Sequence, residues 1–271
     1  MDADDDFQAV LSFVERRYGF ATSQYSKKYL KRRVDSRLRR NGIDPEAYGE
    51  YLALLEGDDG EERAELLDTL SVNVTSFFRN TEVWDRIGDV LRTLQAERSF
   101  GVSAWSVPCS DGREPYSLAM LASDADDIST RTLSIRGSDI DEEALERARA
   151  GVYYQRNTSN VESELSFLDD YSRYVERDDD VFRVRPTVRE MVHFDRHDLI
   201  SDDADDEYDL VFCRNFFIYV DAQFKLPVLR KLDESIRSGG YLVLGKTESI
   251  PYELKDRFDP VAKELRIYRR R

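Results

Sequence analysis

The 271-residue sequence predicts a doubly wound α/β domain preceded by a small all-helical one. Three observations carry that expectation. Up to about residue 72 the apolar residues recur at helical spacing, with no strand-like alternation. Beyond about residue 100, short apolar strands alternate with helices, the pattern of a parallel sheet covered on both faces. The length itself suits two domains at roughly 150 residues each. The expected division is 1–72 and 73–271.

The first helix places Phe7, Val10, Leu11 and Val14 on one face, the i, i+3, i+4, i+7 spacing. A second places Leu30, Val34 and Leu38 together, while Lys27, Lys28, Lys31, Arg32, Arg33, Arg37, Arg39 and Arg40 fill much of its remaining surface. Asn41-Gly42 stops it, and Asp44-Pro45 is expected to open the third helix as a cap followed by proline at the first helical position. Tyr48, Leu52 and Leu55 line the core side of that helix, Gly57 to Gly60 form a turn, and Leu66, Leu67 and Leu70 mark a fourth. The basic helix admits three readings: a solvated face, a docking surface for an acidic helix, or a nucleic-acid contact. The last is disfavoured, because the rest of so acidic a chain repels phosphates.

In the second part, Val102 to Val107 reads as a strand running into the turn Cys109-Ser110-Asp111-Gly112-Arg113-Glu114-Pro115, with a helix continuing through Tyr116, Leu118 and Leu121. Thr132 to Gly137 is a second strand ending at Ser138-Asp139, followed by a helix from Asp141 to Ala150 with Gly151 as its stop. Tyr208 to Cys213 is another strand, with a helix from Asp221 to Ile236 behind it. Gly239-Gly240 turns into a strand from Tyr241 to Gly245. The last strand, Leu265 to Tyr268, follows Pro260 with no long helix between, so it is expected antiparallel at the sheet edge.

A doubly wound sheet binds its ligand outside the carboxyl ends of the strands, at the point where the strand order reverses. The turns converging there carry Gly112 and Glu114, Asp139, and Arg214 and Asn215. An acid ending the second strand, Asp139, is placed to accept both hydrogen bonds of a ribose diol. A dinucleotide needs a Gly-x-Gly-x-x-Gly turn for its pyrophosphate, and the first turn has one glycine. S-adenosylmethionine carries no phosphate, so by fold analogy a methyltransferase is favoured over a dehydrogenase.

Composition narrows the class. Charged residues make up 35%, against about 25% in an average soluble domain. Acidic residues outnumber basic ones, 55 to 40, for a formal charge of −15, which suggests adaptation to a high-salt cytosol. No run of about 18 apolar residues is long enough for a membrane helix, and the acidic start Met1-Asp-Ala-Asp-Asp-Asp6 is unlike an export signal. A cytoplasmic protein is expected. Cys109 and Cys213 cannot form a disulfide framework, and with His193 and His197 they supply few ligands, so no metal is expected.

Several segments together resemble the CheR family of chemotaxis-receptor glutamate methyltransferases. They are Asn73-Val-Thr75-Ser-Phe77-Phe78-Arg79, Cys109 to Tyr116, Ser138-Asp139-Ile-Asp141, Phe212-Cys213-Arg214-Asn215-Phe-Phe-Ile218-Tyr219, and Gly239 to Gly245 with Thr247-Glu248-Ser249. They fall in order along nearly the whole chain. The resemblance implies a seven-stranded, Rossmann-like S-adenosylmethionine (SAM)-dependent methyltransferase domain on a small helical one, with an inserted subdomain around 152–194. It implies SAM as cofactor and S-adenosylhomocysteine (SAH) as product. By the same resemblance Asn73, Thr75, Arg79, Glu114 and Asp139 contact the cofactor. Asp198, Leu199, Arg214 and Asn215 match its adenosine side, and Arg79 and Tyr219 match the positions nearest the transferred methyl and the substrate carboxylate. The implied partner is the cytoplasmic helical domain of methyl-accepting chemotaxis proteins, met by the basic helix Lys27–Arg40, so that charge reversal at Arg33 and Arg37 weakens receptor methylation.

Each residue also has a plainer reading. Asn73 and Thr75 suit a helix cap, Arg79 a surface ion pair, Asp139 a cap for the next helix shared with Asp141, and Tyr219 a core aromatic. Phe77 and Phe78 are expected to pack between the two domains. His193 and His197 are expected to be structural, since no proton moves in the reaction. Two departures from the family pattern, Pro108 and Arg113 in the first turn, leave an alternative: a catalytically weakened SAM-binding adaptor of the receptor array. A nucleic-acid methyltransferase is disfavoured, because the chain has no Asn/Asp-Pro-Pro-aromatic stretch to hold a flipped base.

Overall fold

A computed structural model describes residues 3–18, 20–70, 75–155, 160–203 and 206–271. The chain forms two compact units, Met1–Asn73 with Tyr219–Lys225, and Val74–Ile218 with Leu226–Arg271.

The smaller unit is built on four helices, α1 (Ala3–Tyr18), α2 (Lys27–Arg40), α3 (Tyr48–Gly57) and α4 (Glu61–Leu70). α1 buries Phe7, Val10, Leu11 and Val14 as its spacing requires, with Asp4, Asp5 and Asp6 in the first turn and Arg16 and Arg17 in the last, both favourable to the helix dipole. Ser26 caps α2 by accepting from the Tyr29 N–H, and Leu30, Val34 and Leu38 are buried. The third helix begins later than Asp44-Pro45 suggests. Glu46 takes a left-handed φ of 70° and the Ala47 N–H bonds to the Asp44 carbonyl, so these residues form a turn and the helix starts at Tyr48.

Arg37 departs from the reading of an outward basic face. It is 5% exposed and grips Glu62 through two nitrogens, at 2.9 and 2.5 Å, and Glu65 at 2.9 Å. The Tyr51 hydroxyl and the Asn41 amide also donate to Glu62. Arg37 therefore ties α2 to α4 in the interior. The outward cations of α2 are Lys27, Lys28, Arg32, Arg39 and Arg40, of which Lys27 pairs with Asp4. The segment Tyr219–Lys225 joins this unit through a bridge between Tyr25 and Val220 and through bonds from the Ser26 N–H to the Tyr219 carbonyl and from the Asp221 N–H to the Gln24 carbonyl.

The larger unit opens with α5 (Thr81–Glu97), which buries Val83, Trp84, Ile87, Val90, Leu91 and Leu94. There follow β1 (Val102–Ser106), α6 (Arg113–Asp124), β2 (Leu133–Asp139), α7 (Glu142–Ala150), β3 (Val152–Tyr154), α8 (Val161–Leu165), β4 (Val175–Asp178), β5 (Val181–Val184), α9 (Pro186–Arg189), β6 (Val192–Arg196), β7 (Tyr208–Cys213), α10 (Ala222–Glu234), β8 (Ile236–Leu244), β9 (Phe258–Ala262) and β10 (Ile267–Arg270). The main sheet has seven strands in the order β6-β2-β1-β7-β8-β10-β9. Strands β6 to β8 in that order pair parallel, and β10 pairs antiparallel with both β8 and β9.

The last strand is antiparallel as expected but does not form the edge; β9 lies outside it. Pro260 lies within β9, and an edge strand tolerates the missing donor. Alternate residues of β7 enter two cores. Leu210 and Phe212 pack with residues of α5, α6 and α7, and Val211 and Cys213 with residues of α10. β3, β5 and β4 form a separate antiparallel sheet, whereas β6, whose first residues fall within 152–194, belongs to the main sheet. Phe77 and Phe78, expected between domains, pack inside this unit. Phe77 meets Tyr153 edge-on, and Phe78 stacks on Phe167 and meets Trp84.

Candidate cofactor site

The strand order reverses between β1 and β7, and the turns leaving the carboxyl ends of β1, β2 and β7 build the site. The turn after β1 contains a cis Val107-Pro108 bond and left-handed backbone at Ser110 (φ 51°) and Gly112 (φ 85°). Gly112 is obligatory: a Cβ there would lie 2.8 Å from Ala148 Cβ and 2.9 Å from Phe194 Cζ.

That turn is strapped to the end of β2. The Cys109 N–H donates to the Ser138 carbonyl, and the Ser110 N–H donates to Asp139 Oδ2 at 2.7 Å. Asp139 Oδ1 accepts from the Asp141 N–H at 3.0 Å. Asp139 is 7% exposed, and burial pushes its carboxyl up to about 6. The cap of α7 is Asp141, which accepts from Glu143 and Ala144, so Asp139 is released from that duty.

Glu114, in the first turn of α6, accepts from the Ser106 hydroxyl at 2.9 Å and from Arg214 Nη1 at 3.0 Å. Arg214 Nη2 reaches on to the Arg79 carbonyl and to Asn80 Oδ1, both at 2.9 Å. The guanidinium at the adenosine-side match thus serves to lock Glu114 and the backbone at Arg79. Arg113 turns away from Glu114. It pairs with Asp111 at 3.2 Å and Glu164 at 2.9 Å and lies over the rings of Phe77 and Tyr153.

Asn215 follows β7 with φ 61°, and its side-chain Oδ1 is buried with no hydrogen-bond partner among the described residues. An orphaned acceptor of this kind is expensive unless a ligand donates to it. Glu248, unassigned from sequence, accepts the N–H groups of Asn215, Phe217 and Gly245. Ser106 and Ser110 were also unforeseen; their roles depend on where the strand ends fall.

The other expected residues are placed as follows. Thr75 and Arg79 are half-buried, and Asn73 lies outside the described residues. Asp198 accepts from the N–H groups of Ile200 and Ser201, while the Leu199 side chain packs in the core with Trp105 and Tyr208. Tyr219 belongs to the smaller unit, where its ring lies 5.0 Å from that of Tyr29. His193 is exposed and His197 is buried with its ring edge-on to Trp105. Among the described residues no group of three His, Cys, Asp or Glu is placed to hold a metal.

The residues fit SAM. A buried carboxylate at the end of β2 suits a ribose diol, a second acid at Glu114 suits a cationic amino group, and the orphaned Asn215 Oδ1 awaits a donor. Residues 73–267 match the family described as CheR methyltransferase, SAM binding domain, and residues 5–71 match CheR methyltransferase, all-alpha domain. The chain belongs to the CheR methyltransferase family. SAM is accordingly its cofactor. A CheR relative, the chemotaxis protein methyltransferase of Listeria monocytogenes, is 33% identical over 250 residues, covering 92% of each chain. The chemotaxis protein methyltransferase of Escherichia coli K12 is 29% identical over 264 residues, covering 94% of this chain and 88% of its own. That of Borreliella burgdorferi is 27% identical over 258 residues, covering 91% and 88%.

Proposed function

We propose that the chain transfers the methyl group of SAM to glutamate side-chain carboxylates of methyl-accepting chemotaxis receptors, forming methyl esters that tune chemotactic adaptation. The observation that carries this reading is the match of both domains, in order, to one family whose relatives bear the name chemotaxis protein methyltransferase.

The cofactor supplies an electrophilic methyl on a sulfonium. A glutamate side chain, with a solution pKa of about 4.3, is already anionic at neutral pH, so its oxygen needs no general base. The carboxylate oxygen bonds to the methyl carbon as the methyl–sulfur bond breaks, its electron pair remaining on sulfur. Catalysis is then alignment and desolvation. Arg79 is assigned to the substrate anion, offsetting the loss of water around it, and Tyr219 to a hydrogen bond with the same carboxylate. Both assignments rest on the motif match. So do those of Asn73, Thr75, Asp198 and Leu199 to the cofactor, while Glu114, Asp139 and Asn215 gain support from their burial and hydrogen bonding. The adaptor alternative loses ground, because the charge of Arg113 is absorbed by Asp111 and Glu164 and leaves Glu114 undisturbed.

The proposed partner surface is the outer face of α2, with Lys28, Arg32, Arg39 and Arg40 meeting the acidic methylation helices of the receptor. A cytoplasmic location and a high-salt habitat complete the reading. Its test is methyl transfer from labelled SAM to a purified receptor cytoplasmic domain in molar salt. Label released by mild base as volatile methanol, and lost in Arg79→Ala, is expected; base-stable label or none would overturn it.

A further inference from the structure

We infer that Glu248 is a positioning residue: its buried carboxylate is the template on which the turn after β7 is shaped to present Asn215 to the cofactor. Glu248 lies on the loop leaving β8, next to β7 in the sheet. Oε2 accepts the Gly245 N–H at 2.7 Å and the Asn215 N–H at 3.0 Å, and Oε1 accepts the Phe217 N–H at 2.7 Å. The Glu248 N–H returns a bond to the Gly245 carbonyl. One carboxylate therefore closes its own loop and stitches it to the turn of the neighbouring strand.

The geometry shows why a carboxylate is required. Asn215 holds a left-handed φ of 61°, a conformation that asparagine adopts more readily than other non-glycine residues but that its surroundings must still hold in place. The bonds at residues 215 and 217 bracket that turn and enforce it. An amide could not replace the acid, since one of its two heads would aim N–H at a backbone N–H. Space is equally restricted: a Cβ at Gly245 would lie 2.6 Å from both the Asn215 nitrogen and Glu248 Oε2. The clasp ends with the Asn215 side-chain oxygen buried and, among the described residues, unpartnered, an acceptor fixed in place in advance of its donor. Preorganisation of this kind lowers the ordering cost of binding. Burial raises the Glu248 carboxyl while the backbone donors pull it down, and its charge in turn helps to raise the buried Cys213 thiol.

The inference takes the ligand's identity from the proposed function, and its test reads binding alone. In the full-length protein, Glu248→Gln is expected to weaken SAH affinity about tenfold by calorimetry, the worth of one charge-assisted hydrogen bond. The ligand-free thermal midpoint should fall by no more than about 5 °C. A second measurement needs no variant. In wild-type protein the amide resonances of Gly245, Asn215 and Phe217 should follow one common pH titration, and SAH should move it to lower pH, because a turn competent to bind requires the carboxylate form. SAH affinity within twofold of wild type in Glu248→Gln, or a titration unmoved by SAH, would overturn the inference and leave the methyltransferase reading standing. Failure of wild-type protein to bind SAH would overturn both.

Discussion

At the scale of the residue, Asp139 makes a prediction through its protonation. Its folded carboxyl titrates at about 6, against about 3.9 in an unfolded chain. Between those values the folded state binds more protons than the unfolded one, so this residue's contribution to stability falls as pH rises from about 4 to 6. Cofactor affinity should move the opposite way. The ionised carboxylate accepts the Ser110 and Asp141 N–H groups and keeps lone pairs for a ribose diol, whereas protonation turns one oxygen into a donor. SAH affinity measured by calorimetry should therefore drop below pH 6, by at most about tenfold per pH unit, and the part due to this group should vanish in Asp139→Asn. An acid-side profile identical in wild type and Asp139→Asn would refute the assignment. The place of Asp139 at the end of β2 was legible in sequence, because an acid ending the second strand is a positional signal. Glu248 was not, since its role exists only once β7 and β8 lie side by side. Arg113 shows the same limit: the sequence places a cation next to Glu114, and only the fold reveals Asp111 and Glu164 as its partners.

At the scale of the element, α2 separates into an outward face and an anchored one. Arg37 is paired with Glu62 in the interior and reaches out to the exposed Glu65, and removing one partner of a buried, hydrogen-bonded ion pair costs about 3–5 kcal/mol. Charge reversal there would set two like charges together and unfold the helical unit, so lost methylation in Arg37→Glu would say nothing of docking. The informative variants are Arg39→Glu and Arg40→Glu, both exposed. They should lower the receptor methylation rate with the thermal midpoint and SAH affinity unchanged; full methylation at low ionic strength would exclude this face as the contact. Periodicity exposed the buried stripe of α2 and left Arg37 invisible, because spacing marks apolar faces and does not say which charge has a buried partner. The strands divide the same way. β7 is apolar apart from Asp209 and was legible to the residue, while β9 is broken by Pro260. β6 alternates apolar Val192 and Phe194 with His193 and Asp195, and in sequence it merged with the insertion before it.

At the scale of the whole molecule, the question is how a chain of charge −15 responds to salt. Many of its ion pairs are exposed, such as Lys27 with Asp4 and Arg271 with Asp259, and such pairs contribute about 0–1 kcal/mol each. Salt weakens them, and it also screens the repulsion among the excess carboxylates, as the Debye length shrinks from about 10 Å at 0.1 M to about 3 Å at 1 M. The buried pairs that hold the fold, Arg37 with Glu62 and Arg214 with Glu114, are screened much less. Relief of repulsion should therefore dominate, and the thermal midpoint should rise between 0.1 and 2 M KCl. Salt also strengthens burial generally, so the control is a triple variant, Asp178→Asn, Asp179→Asn and Asp180→Asn, at three exposed positions beside the small sheet. It should start with a higher midpoint at low salt and gain less from added KCl. A midpoint that falls with salt, or a triple variant with the same slope as wild type, would show that the acidic surface is a matter of solubility and not of adaptation to a saline interior.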